Sequence, residues 1–118
     1  MIFVASNPGM RAAMKMADAS QSKFKVGAAI AKGKKVLVSA CNVNKTHPVF
    51  GSGTWGTLHA ESNAIRKAVS QGINLEGSTI YIYRRYNTLS KPCPGCSALI
   101  KKYGITDVIW SDHNYNRA

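Results

Sequence analysis

At 118 residues the chain has room for one domain with a modest core, and 45% hydrophobic residues is an ordinary globular share. Sixteen Lys and Arg against five Asp and Glu leave a formal charge of +11, a field that attracts polyanions or phosphorylated small molecules but does not identify them. The apolar start lacks a basic leader pattern, no run approaches the ~20 apolar residues of a membrane span, and three cysteines make no disulfide framework. The expectation is one soluble, cytoplasmic domain over residues 1–118 with no membrane partner.

In chain order, Asn7-Pro8 reads as the N-cap and first position of a helix reaching about Asp18, with Met10, Ala13, Met14 and Ala17 packed along one side. Residues 25–31 and 35–40 read as two strands joined by a hairpin at Gly33-Lys34, and Gly27 with the following alanines leaves room for a close neighbour. The Asn, Pro and Gly of residues 41–57 make a loop of a length that is usually either functional or disordered. A helical run from Leu58 carries Ala64, Ile65, Ala68 and Val69 at helical spacing and is stopped by Gly72. Residues 78–83 are a third strand by their β-branched and aromatic content. A second amphipathic run from Cys93 to Gly104 sets Cys93, Cys96, Leu99, Ile100 and Tyr103 on one stripe, with Lys101 and Lys102 pointing away. Residues 106–110 are a fourth strand, parallel to the third because a helix connects them. The sum is an α/β fold, a three-layer α/β/α sandwich on one mixed sheet of four to five strands. Both later helix starts are expected at the sheet edge where strands 3 and 4 lead in and out.

Those helix starts hold the chemistry. On the helical wheel Glu61 falls among Ala64, Ile65 and Ala68, where a bare carboxylate is costly. Either a partner neutralises it or a perturbed acid is the purpose of the position. His59 stands two residues earlier, while Ser62 and Asn63 read as helix surface. Cys93 and Cys96 open the second helix, whose dipole favours thiolates there. One imidazole and two thiolates are three ligands, and three with an open position is the pattern of a catalytic zinc rather than a structural one. Alternatives remain at this point: Cys41 as a fourth ligand would close a structural site, and a C-x-x-C by itself also suits a redox pair or half a zinc ribbon.

His59-Ala60-Glu61 followed by Pro92-Cys93-Pro94-Gly95-Cys96 is the H-x-E and P-C-x-x-C signature of zinc deaminases. From about Ala17 to Trp110 the chain resembles the cytidine and deoxycytidylate deaminase superfamily. The resemblance implies a cytidine deaminase-like fold, one Zn²⁺ per chain held by His59, Cys93 and Cys96, and Glu61 as the proton carrier. Residues 22–29 are similar to a segment of small cytidine deaminases that would make Phe24 a contact to the base. Residues 41–44 are similar to the family's Asn-x-Glu element, so Asn42 and Asn44 would face the sugar, and the Ala60 backbone would bond the base. Two departures mark the likeness: Asn44 stands where the family has Glu, and the ligand set with His59 is that of the deoxycytidylate, tRNA adenosine and polynucleotide deaminases. Exchanging a carboxylate for an amide at the sugar removes a repulsion that, for two charges ~4 Å apart at an effective dielectric near 20, is ~4 kcal/mol. Lys45, Arg84 or Arg85 would then suit a phosphate. The expected substrate is a cytosine nucleotide, dCMP ahead of cytidine or deoxycytidine. A polynucleotide substrate, suited by Phe50, Trp55 and the net charge, and a non-catalytic zinc module that binds nucleic acid are the alternatives. A homo-oligomer is expected.

Overall fold

A computed structural model of the chain describes residues 8–20, 25–42, 59–84 and 94–110. Within them lie α1 (Pro8–Ala19), β1 (Val26–Lys32), β2 (Lys35–Cys41), α2 (Ala60–Ser70), β3 (Thr79–Arg84), α3 (Pro94–Lys102) and β4 (Asp107–Trp110). The four strands form one sheet in the order β2-β1-β3-β4, antiparallel except for the β3–β4 pair, which the α3 crossover makes parallel as expected. Cys41, read from sequence as the first loop residue, is the last residue of β2, opposite Gly27.

Alternation along the strands builds the three layers. Ala28 and Ile30 of β1 and Ile80 and Ile82 of β3 join Ala60, Ala64, Ile65 and Ala68 of α2 and Ile100 of α3 in one core. Their neighbours Ala29, Ala31 and Tyr81 face the other way, onto Met10 and Ala13 of α1. In β2 the register slips between Ile30 and Ala31, so that Leu37 is an extra residue. This bulge turns Leu37 and Val38 together toward the α2 face and leaves Val36 for α1. Both α2 and α3 stop at a glycine of positive φ, Gly72 (72°) and Gly104 (78°). There the amides of Ile73 and Ile105 reach back to the carbonyls of Ala68 and Ile100, closing the ends without side chains.

Helix α2 lies mainly across β2 and β1. Asn63 Nδ2 donates to the Cys41 carbonyl (2.9 Å) and Lys67 Nζ to the Ser39 carbonyl (3.2 Å), along the sheet's β2 edge. Four residues of helix, ~6.0 Å, match two residues of strand, ~6.8 Å, so one helix face can serve two successive outward carbonyls. The start of α2 therefore sits at the end of the sheet where Val26, Cys41 and Arg84 lie, rather than at the β3–β4 edge expected from the connections. Among the described residues no helix is long and apolar enough to cross a membrane.

On the opposite face α1 approaches β1 so closely that a methyl at Gly27 would run into the Ala13 carbonyl and the Ala17 amide nitrogen. Both obstacles are backbone, which cannot rotate aside. Gly27→Ala should therefore destabilise the fold at or above the top of the ~1–3 kcal/mol range for overpacking. A lowered urea midpoint at unchanged slope checks it.

Candidate functional site

The residue that starts α2 is an unusual one to cap a helix. His59 holds the N-cap position with extended backbone (φ −66°, ψ 154°) and makes no side-chain cap hydrogen bond, where Ser, Thr, Asp or Asn would be preferred. Its ring instead turns to α3, with Nδ1 3.3 Å from Cys96 Sγ. Glu61 follows in the first turn and is 6% exposed, and Cys96 is 1% exposed. A ligand atom from each of His59, Glu61 and Cys96 lies within 4.8 Å of the others, the one such group among the described residues. Cys41 is not part of it. Its carbonyl is bound by Asn63 at the end of β2.

The donor set suits zinc. Tetrahedral zinc with a nitrogen at about 2.0–2.1 Å and a sulfur at about 2.3 Å sets those two atoms about 3.5–3.6 Å apart. The 3.3 Å between His59 Nδ1 and Cys96 Sγ is within a few tenths of an ångström of that spacing. A soft thiolate with an imidazole is a zinc pair rather than a magnesium or calcium one.

The model of the family described as the cytidine and deoxycytidylate deaminase zinc-binding region matches residues 6–112. The chain belongs to this deaminase family. The deoxycytidylate deaminase of Enterobacteria phage T2 is 40% identical over 55 residues, which are 47% of this chain and 26% of the phage enzyme. The match thus spans about a quarter of that curated relative. Among solved structures, the apo dCMP deaminase of cyanophage S-TIM5 superposes with a TM-score of 0.71 at 26% identity, covering 94% of this chain and 83% of that one. The same cyanophage enzyme in complex with dCMP and dUMP gives 0.66 at 25% identity, over 92% and 77%.

Against this deaminase fold the residues singled out from sequence divide into two sets. His59, Glu61 and Cys96 come together, and Ala60, wholly buried, opens α2 between the first two. Cys93, Phe24 and Asn44 lie outside the described residues, as do Lys45, Phe50, Trp55, Arg85 and the rest of the loop after Asn42. Asn42 stands just past β2 and is engaged by the protein itself. Its Oδ1 accepts from Ser20 Oγ (2.7 Å) and from the Val26 amide (3.1 Å). Two bonds fill the lone pairs of that oxygen.

Ser62 and Asn63 correct the sequence reading. Expected at the helix surface, they are 1% and 4% exposed. Ser62 Oγ lies 3.3 Å from Cys96 Sγ, and Asn63 joins the Cys41 carbonyl to Arg66, whose Nε and Nη2 donate to Asn63 Oδ1 at 3.1 and 2.8 Å. The wheel of one helix registers the face against the sheet and misses the second neighbour, α3. The signal available was composition: residues 60–65 contain no Lys, Arg or Gln, so Glu61 is the one long polar or charged side chain in the first turns of α2. Removing the amide with Asn63→Ala strands a strand-edge carbonyl and a guanidinium together. The loss expected is about 1–3 kcal/mol, seen as a lowered denaturation midpoint.

Proposed function

We propose that this protein is a zinc-dependent hydrolase that converts a cytosine nucleotide to its uracil counterpart with release of ammonia, with dCMP as the preferred substrate. The observation that carries the reading is the meeting of His59 Nδ1, Cys96 Sγ and the Glu61 carboxylate in one buried group at the facing starts of two helices. His59, Cys96 and Cys93 are the metal ligands in this proposal, and Glu61 stays outside the ligand set. When bound, zinc supplies the Lewis acidity that brings ionisation of water toward pH ~7.

Glu61 then does the proton work. It takes one proton from the water that adds to C4 of the ring and delivers it to N3, then takes the second from the hydroxyl so formed at C4 and delivers it to the departing amine. Water and cytosine give uracil and ammonia, so the carboxylate ends as it began. Its burial excludes bulk water from competing for those protons. Phe24 stacks on the base, the Ala60 backbone bonds its edge, and Asn42 and Asn44 meet the sugar.

Support for a nucleotide comes from two sides. The cyanophage dCMP deaminase that superposes on this chain was solved with dCMP and dUMP. Within the chain, Arg84 ends β3 in register with Val26, the residue whose amide binds Asn42, so a base stands at the same strand end as the sugar contact. Asn44 in place of a carboxylate lowers the repulsion a phosphate would meet there.

Glu61→Gln keeps shape and polarity but carries no proton. It should retain about one zinc per chain and lose ~10²–10⁴-fold in kcat, read by metal analysis beside ammonia release. A variant turning over near the wild-type rate refutes the mechanism. The substrate is tested with cytidine, deoxycytidine, CMP, dCMP and a short C-containing oligonucleotide at one salt concentration. The highest kcat/KM is expected for dCMP. Equal turnover of unphosphorylated nucleosides rejects the phosphate argument, and oligonucleotide preference that collapses with salt favours a polymer substrate.

A further inference from the structure

The proposed reaction leaves one buried polar group at the site without a task. Ser62 is 1% exposed, yet its hydroxyl lies against the sulfur of Cys96 at 3.3 Å. His59 Nδ1 meets the same sulfur at 3.3 Å. These two residues are three apart on α2 and so neighbours on its surface, and they bracket Cys96 Sγ from one helix. A thiolate has no proton to give, whereas a serine hydroxyl has one. With Cys96 ionised as a metal ligand, the hydrogen bond must run from Ser62 to sulfur.

We propose that Ser62 is a positioning residue for the metal: its O–H donates to Cys96 Sγ, fixes the direction of the sulfur's remaining lone pairs and draws charge from it, and so sets the affinity of the centre for zinc. The inference rests on the zinc reading above. Its physical basis is that ligand atoms are oriented by hydrogen bonds from outside the ligand set, and losing such a partner typically weakens metal binding ~10–100-fold. Cys96 lies within the first turn of α3, so helix amides help to stabilise its negative charge. Those amides are fixed by the backbone of α3. Ser62 adds a donor from α2, and thereby ties the two ligand-bearing helices together through one atom.

The test uses the full chain as wild type, Ser62→Ala and Ser62→Thr. Alanine is smaller and the better helix former, so the variant should fold with a metal-free melting temperature near wild type. Zinc affinity is measured by competition with a chromophoric chelator at fixed pH. Cobalt(II) is then substituted and its thiolate-to-metal charge-transfer band recorded. Ser62→Ala should bind zinc ~10–100-fold more weakly and shift that band to longer wavelength, because a sulfur without its donor gives up an electron more easily. Ser62→Thr, which keeps the hydroxyl, should restore both. Unchanged affinity and an unchanged band in Ser62→Ala overturn the inference and leave the zinc centre standing. A threonine variant that behaves like the alanine one also overturns it, since packing would then be the cause. Wild-type protein that binds neither metal removes the zinc reading and this inference with it.

Discussion

Everything at the active end of this molecule depends on burying three electron-rich groups in one place. An imidazole nitrogen, a carboxylate and a cysteine sulfur lie within 4.8 Å of one another, and two of the three residues are almost wholly enclosed. Two negative charges at that separation repel by ~3–4 kcal/mol even at an effective dielectric near 20, and each is also stripped of water. A fold does not collect such groups unless something positive joins them. A divalent cation answers that demand, in keeping with the zinc-binding region that describes the chain's family.

The arrangement is held from behind. Gly27 lets α1 lie almost in contact with the β1 backbone, and the end of α1 then carries Ser20 to the strand end. There its hydroxyl binds Asn42 Oδ1, its carbonyl accepts from Lys25 Nζ, and the Val26 amide completes the knot. The α2 side is pinned to the same strand end by Asn63 on the Cys41 carbonyl. The start of β1, the end of β2 and the first turn of α2 are thus fixed to one another by side-chain hydrogen bonds, and the ligand-bearing turn inherits its position from both faces of the sheet.

Much of this was legible in the amino-acid order, for a reason that also marks where legibility stops. The β-branched and aromatic content of residues 78–83 and the helical period of residues 94–102 report the element types, and a helix between β3 and β4 dictates a parallel pair. The H-x-E and C-x-x-C spacings report helix starts, and His59, Glu61 and Cys96 do meet. Periodicity carries no information about a second neighbour. Ser62 and Asn63 looked exposed because the wheel knows nothing of α3 or of the β2 edge, and it is these tertiary contacts that bury them. The location of the start of α2 at the strand ends over β2 and β1 was hidden likewise, since it depends on the tertiary contacts of Asn63 and Lys67 with the β2 edge and not on any local pattern.

The excess of positive charge can now be apportioned. Lys32, Lys34 and Lys35 are exposed around the β1–β2 turn, six residue steps and ~20 Å along β1 from Val26 and so remote from the strand end where Asn42 lies. Lys101 and Lys102 lie in the last turn of α3, where they oppose the negative end of its dipole, and Lys67 serves the Ser39 carbonyl. These five lysines and Lys67 have structural or solvated positions that require no polymer. At the site's own end, Lys25 and Arg66 are held in place by neutral partners, the Ser20 carbonyl and the Asn63 amide oxygen. A neutral acceptor brings no counter-charge to the contact, whereas a carboxylate would offset the cation's field. Both side chains are thereby held by hydrogen bonds to the elements that meet at this strand end, Lys25 to the residue after α1 and Arg66 to the first turn of α2.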